Sequence, residues 1–175
     1  MWRDKVDILK RDERFFILQK DDPALGAIRP LVIEDLYDDV AHLGLPASVP
    51  KEIAHQFDLA RKAYLYAWFE YEMATLAEAH SYTVVEMAIK RRIKDDPSGE
   101  KPKQMGLQAA INHAREKGWL DIQDFEYLSF GERKSFLGDL VWIRNDLAHG
   151  KPHLSLDFSV MQMELCHKII VALFP

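Results

Sequence analysis

Lys51 to Lys94 is a run of 44 residues with neither glycine nor proline. No other feature restricts the fold as much. Its apolar residues Ile53, Phe57, Ala60, Tyr64, Ala67, Tyr71 and Ala74 recur at spacings of three and four, the period of a helix face. Leu59, Ala63, Tyr66 and Met73 add a second stripe, so the predicted helix is wide enough to be buried against two neighbours, as in the middle of a bundle. A single rod of this length would measure about 66 Å, which is long for one domain of 175 residues. The polar, β-branched stretch His80-Ser81-Tyr82-Thr83 is where a bend is expected. Ser48 is the expected N-cap, with Pro50 just inside the first turn.

Helical spacing recurs on both sides of this run. Pro30 to Leu43 carries Val32, Leu36, Val40 and Leu43 on one side and is stopped by Gly44 and Pro46. Asp95 to Gln104, with two prolines and a glycine, is a loop. A short helix is predicted over Gly106–Lys117, and Trp119, Leu120 and Ile122 form a packed connector. The next helix is predicted from about Glu132 to Ala148, with Phe136, Leu140, Ile143 and Leu147 inward. A last one covers Phe158–Leu173 with Asp157 as its cap. The expectation is an all-α, antiparallel bundle of about five helices over residues 46–175. Residues 1–45 precede it as an N-terminal arm and short helix. The arm's apolar groups (Val6, Ile8, Leu9; Phe15, Phe16, Ile17, Leu18) are too few for a core, so they should dock on the main domain or on a partner chain.

Composition narrows the function classes. Twenty-three Lys and Arg against 28 Asp and Glu leave a net charge of −5, so nucleic acid can be bound only through a local basic patch. One cysteine, Cys166, excludes an internal disulfide framework and suits a reducing compartment. The charged opening MWRDKVDILKRDERFF lacks the apolar block of a signal peptide, and Ile169–Phe174 is far short of a membrane span. A cytoplasmic protein without membrane partners is expected. Neither HExxH, nor CxxC, nor a carboxylate cluster at ligand spacing occurs, so no metal or cofactor is expected.

One segment carries reaction chemistry: Arg144-Asn145-Asp146-Leu147-Ala148-His149-Gly150. Arginine is a permanent cation whose planar fork matches phosphate oxygens. Histidine exchanges protons near neutral pH, and asparagine can orient an oxygen without titrating. Five residues along a helix amount to about 140° of rotation, so Arg144 and His149 do not share a face of a continuing helix. Either the helix ends near Ala148 and His149 swings round, or groups from two chains combine across a two-fold axis. An ordinary helix stop explains the same residues without catalysis: cations in the last turn, then Gly150 and Pro152.

The RNDLAH stretch resembles the Arg-x4-His motif of the HEPN superfamily (higher eukaryote and prokaryote nucleotide-binding domains), in the form with Asn directly after Arg. Phe57–Ile93 is similar to the long aromatic helix pair that precedes this motif in bacterial HEPN-like proteins, and the motif falls on the penultimate predicted helix. The resemblance covers roughly residues 50–175. It implies a metal-independent endoribonuclease acting as a homodimer: His149 as general base on the ribose 2′-hydroxyl, Arg144 holding the scissile phosphate, Asn145 orienting it. It also implies RNA as substrate and an antitoxin or other regulatory protein as partner, in a toxin–antitoxin or defence setting. The alternative is a non-catalytic HEPN-like module that binds RNA, a nucleotide or a protein.

Arg91, Arg92 and Lys94, with Lys90, Lys101 and Lys103, are candidates for a phosphate-tracking patch, to which Lys151 beside the motif is added. Cations at a helix C-terminus are equally explained by the helix dipole. The aromatic group from Phe57 to Tyr71 reads as core or dimer packing rather than base stacking. Of Glu70 and Glu72, one should face solvent and the other pair with Arg61 or an inward arginine. His80, Glu86 and Arg61 are weighed as the lining of a polar cleft, and His153 as an assistant to His149.

Overall fold

A computed structural model describes residues 4–24, 26–102, 106–129, 131–149 and 155–175. Two 3-10 turns, Lys5–Asp7 and Glu13–Phe16, lead into an antiparallel hairpin of β1 (Gln19–Asp22) and β2 (Ala27–Pro30). Helices α1 (Ile33–Ala41), α2 (Lys51–Tyr66), α3 (Met73–Lys94) and α4 (Leu107–Glu116) follow. A 3-10 turn, Ile122–Phe125, opens a second hairpin of β3 (Glu126–Ser129) and β4 (Glu132–Ser135), before α5 (Phe136–Ala148) and α6 (Leu156–Leu173). The fold is thus mostly helical, with six helices among the described residues. The two hairpins correct the all-α expectation.

Helix α3 is the hub, packed against α2, α6, α4 and α5. Its buried residues include Ala74, Ala77, Val84, Val85, Ala88 and Ile89. These small and β-branched side chains let neighbouring helices approach from more than one side. Its core also holds a carboxyl group. Glu78 is fully buried; Tyr82 Oη donates to its Oε1 at 2.6 Å and Ser159 Oγ to its Oε2 at 3.1 Å. Burial beside that carboxylate pushes the Tyr82 phenol and the buried Cys166 thiol far up, so Cys166 is an inert core residue. Among the described residues no helix is long and apolar enough to cross a membrane.

The long run breaks at residues 67–72, not at the expected His80–Thr83. At the latter, hydroxyls fold back on their own helix: Ser81 Oγ donates to the Ala77 carbonyl (2.9 Å) and Thr83 Oγ1 to that of Ala79 (3.2 Å). The polar patch is absorbed within one continuous helix, Met73–Lys94. At the true break, the N-terminal arm supplies partners from far away in sequence. The Asp12 N–H donates to the Trp68 carbonyl (2.8 Å), and the Tyr71 N–H donates to Asp12 Oδ2 (3.2 Å). Phe15 is fully buried, its ring 4.9 Å from that of Trp68 and 5.8 Å from that of Tyr71. The arm therefore docks on its own domain through Phe15, while Val6, Leu9 and Ile17 stay exposed.

Arg14 closes the junction. Its guanidinium donates to Asp12 and, through two 2.7 Å bonds, to Glu72, with Glu70 at 3.9 Å. Both glutamates thus face Arg14. Arg61 instead donates to the Val40 and Ala41 carbonyls at the end of α1 and pairs with Asp58. Arg14 holds the Glu72 carboxyl down at about 2, from an ordinary 4.5, and Asp12 lower still. A depressed carboxylate contributes stability that is complete above its unfolded value and is lost as pH falls through the folded one. Denaturation midpoints should therefore drop between about pH 4.5 and pH 2, and less steeply in Glu72→Gln. Equal slopes in the two proteins would show that this pair adds nothing.

Three helix starts also differ from expectation. Ser48 caps nothing: its Oγ donates to the Phe174 carbonyl (2.6 Å), and Pro50 takes the cap position of α2. Helix α5 begins at Phe136 rather than Glu132. Glu132–Ser135 is paired in the hairpin, and Ser135 Oγ accepts from the Gly138 N–H at 3.2 Å. Gly131, at a φ of 82°, takes a left-handed conformation that suits glycine. Helix α6 is capped by Ser155, not Asp157.

Candidate active site at the end of the fifth helix

Helix α5 turns Phe136, Leu137, Leu140 and Ile143 into the core and leaves Trp142, Arg144, Asn145 and His149 exposed. The helix gives out at Ala148. His149 is its C-cap, at φ −92° and ψ 12°, and its N–H donates to the carbonyls of Asn145 (3.0 Å) and Asp146 (3.2 Å). The helix thus ends before the histidine, which is one part of the first arrangement expected from the sequence; the turn through Gly150 that would bring His149 round to Arg144 lies outside the described residues. Gly150, Lys151, Pro152 and His153 lie outside the described residues.

Arg144 leans toward α3. One terminal nitrogen donates to Asn145 Oδ1 at 3.3 Å, and the other lies 3.9 Å from Glu86 Oε2. Glu86 Oε1 in turn accepts from Lys90 Nζ at 2.5 Å. A half-buried carboxylate thus sits between two half-exposed cations, one on each helix. A guanidinium carries five N–H donors. With one neutral amide and one carboxylate at long range as its described contacts, Arg144 keeps donors for an oxyanion.

The basic run at the end of α3 divides. Arg91 is committed to Glu52 and to Asp95 (2.5 Å). Arg92 stacks its guanidinium over the Trp119 ring, 4.9 Å from the centroid. Lys94 is exposed at the helix end. Lys90 is the member that shares a carboxylate with Arg144. The Glu86–Lys90 spacing of four residues is visible in sequence, but that spacing is common on solvated helices. Its link to Arg144 depends on α3 lying beside α5, which is a tertiary fact.

Other candidates fall elsewhere. Phe57, Tyr64 and Tyr71 are buried in the core. The Nε2 of His80 is enclosed without a hydrogen-bond partner among the described residues. Asp12, Glu70 and Glu72 form the one group of three potential metal ligands among the described residues, and Arg14 already bonds to two of them. Compared with family models, curated proteins and solved structures, the chain finds no match.

Proposed function

We propose that this chain is a metal-independent endoribonuclease of HEPN type, with Arg144, Asn145 and His149 as its catalytic residues. The observation that supports this most directly is that α5 ends at an exposed His149 while Arg144, on its last turns, is only loosely held by Glu86. With Glu86 at long range, the guanidinium retains donors for a phosphate.

In the proposed reaction His149 takes the proton from a ribose 2′-hydroxyl. The oxygen attacks the adjacent phosphorus, and the bond to the 5′-oxygen breaks. The products are a 2′,3′-cyclic phosphate and a 5′-hydroxyl end that takes up a proton from water. Arg144 offsets the charge growing on the phosphate oxygens, Asn145 orients them, and Lys90 adds a second cation. Arg144 and His149 are about 140° apart around the helix, so a homodimer with each site built from two copies is part of the proposal. So are an RNA substrate, a regulatory protein partner and a cytoplasmic location.

The test is cleavage of a mixed RNA pool in EDTA by the intact chain, His149→Ala and Arg144→Ala. Equal cleavage by all three removes the enzyme reading. RNA retained at low salt and released at high salt, with no cleavage by any of them, would make the chain a binding module instead.

A further inference from the structure

Glu86 joins two cations that lie far apart in sequence. Lys90 Nζ donates to its Oε1 at 2.5 Å from one turn along α3, and a terminal nitrogen of Arg144 on α5 lies 3.9 Å from its Oε2. The Glu86 side chain is 20% exposed, against 39% for Lys90 and 48% for Arg144. The carboxylate is therefore the floor of this cluster and the cations are its rim. Each cation keeps donors that the floor does not use, since an ammonium has three N–H groups and a guanidinium five. Two like charges repel, and an anion between them lets them stand near one another. Two positive charges over one negative leave a single net positive charge, which one phosphodiester offsets. All three groups belong to one copy of the chain, so this half of the site is complete without a second copy.

We infer that Glu86 is a positioning residue that brings Lys90 and Arg144 onto one and the same phosphate. The phosphate enters from the solvent side, gives an oxygen to each cation and leaves the carboxylate in place beneath them. Glu86 itself does not touch the RNA. Arg91 is no part of this seat, because Glu52 and Asp95 already meet its charge. Arg92 is none either, because its guanidinium lies over the Trp119 ring. The inference rests on the ribonuclease reading for its choice of ligand, but it concerns binding and not the cleavage step.

The probe is a short single-stranded 2′-O-methyl RNA, which lacks the attacking hydroxyl. Its binding to the intact chain is followed by fluorescence anisotropy at 50 and 200 mM salt. Each phosphate neutralised on a single strand adds about 0.7 to the slope of log affinity against log salt, or about 2.6-fold between these two concentrations. If one phosphate serves both cations, Lys90→Ala or Arg144→Ala alone leaves it paired and keeps most of the salt dependence. The double variant should then lose the full factor of about 2.6. Cations on separate phosphates would lose about 2.6-fold each and about 7-fold together, and that result, like an unchanged slope in the double variant, would overturn the shared seat. In Glu86→Gln, which keeps the shape without the charge, the two cations separate and their losses should multiply. Losses that still fail to multiply there would overturn the positioning role. Arg91→Ala should leave the salt dependence unchanged; an equal loss would make the end of α3 a diffuse patch of charge and overturn the seat as well. A shared seat without cleavage of ordinary RNA would keep this inference and discard the nuclease. Cleavage with separate losses would do the reverse.

Discussion

His149→Ala should lower RNA cleavage in EDTA by about 10²–10⁴-fold, the usual contribution of a positioned general base. Arg144→Ala should lose about 10²–10³-fold, as for removal of a donor that stabilises developing charge. Both side chains are exposed at the end of α5, so each substitution should change stability by no more than about 0.5 kcal/mol. Loss of activity with unchanged denaturation midpoints separates chemistry from folding. Arg144→Lys keeps the charge but not the planar fork and should recover only part of the rate. Mixing the two inactive variants is more telling. If each site takes its arginine from one copy and its histidine from the other, a mixed dimer contains one complete site. Activity should then reappear on mixing. A mixture as inactive as its components would place both groups on one chain and overturn the shared site.

How far these features are legible in the sequence depends on how local their causes are. The buried faces of α1, α2 and α6 follow from apolar spacing: Leu36 and Val40, Ile53 and Phe57, Leu165 and Ile169 are all in the core. The break between α2 and α3 is not legible, because Ala67–Glu72 has no breaker of its own. It is held by Asp12 and Phe15, more than 50 residues earlier. The second hairpin is hidden for another reason. Glu132-Arg133-Lys134-Ser135 has no alternating apolar pattern, and only Gly131 and its pairing with Glu126–Ser129 distinguish it from a helix start. At the candidate site, Arg144, Asn145 and His149 stand out by residue type within one helical turn and a half. Glu86 does not, because its meaning comes only from the guanidinium across the α3–α5 contact.

The arm junction leads to the largest stability effect. Phe15→Ala should destabilise the protein by about 3–5 kcal/mol, the range for emptying a buried phenylalanine site. The ring is fully enclosed and touches two other aromatics, Trp68 and Tyr71, and such pairs add about 0.5–1.5 kcal/mol beyond area burial. Domains of this kind have only about 5–15 kcal/mol in total, so the loss is a large part of it and should appear as a lower urea midpoint. Ile17→Ala, two residues on but 79% exposed, should stay within about 0.5 kcal/mol. Hydrogen exchange locates the effect. The Tyr71 N–H, which donates to Asp12 Oδ2, should lose protection in Phe15→Ala before amides of α6 do, since removing the ring frees the arm that caps the break. A cost below about 1 kcal/mol, with Tyr71 still protected, would mean that the turn between α2 and α3 holds its shape unaided and that the arm merely rests upon it.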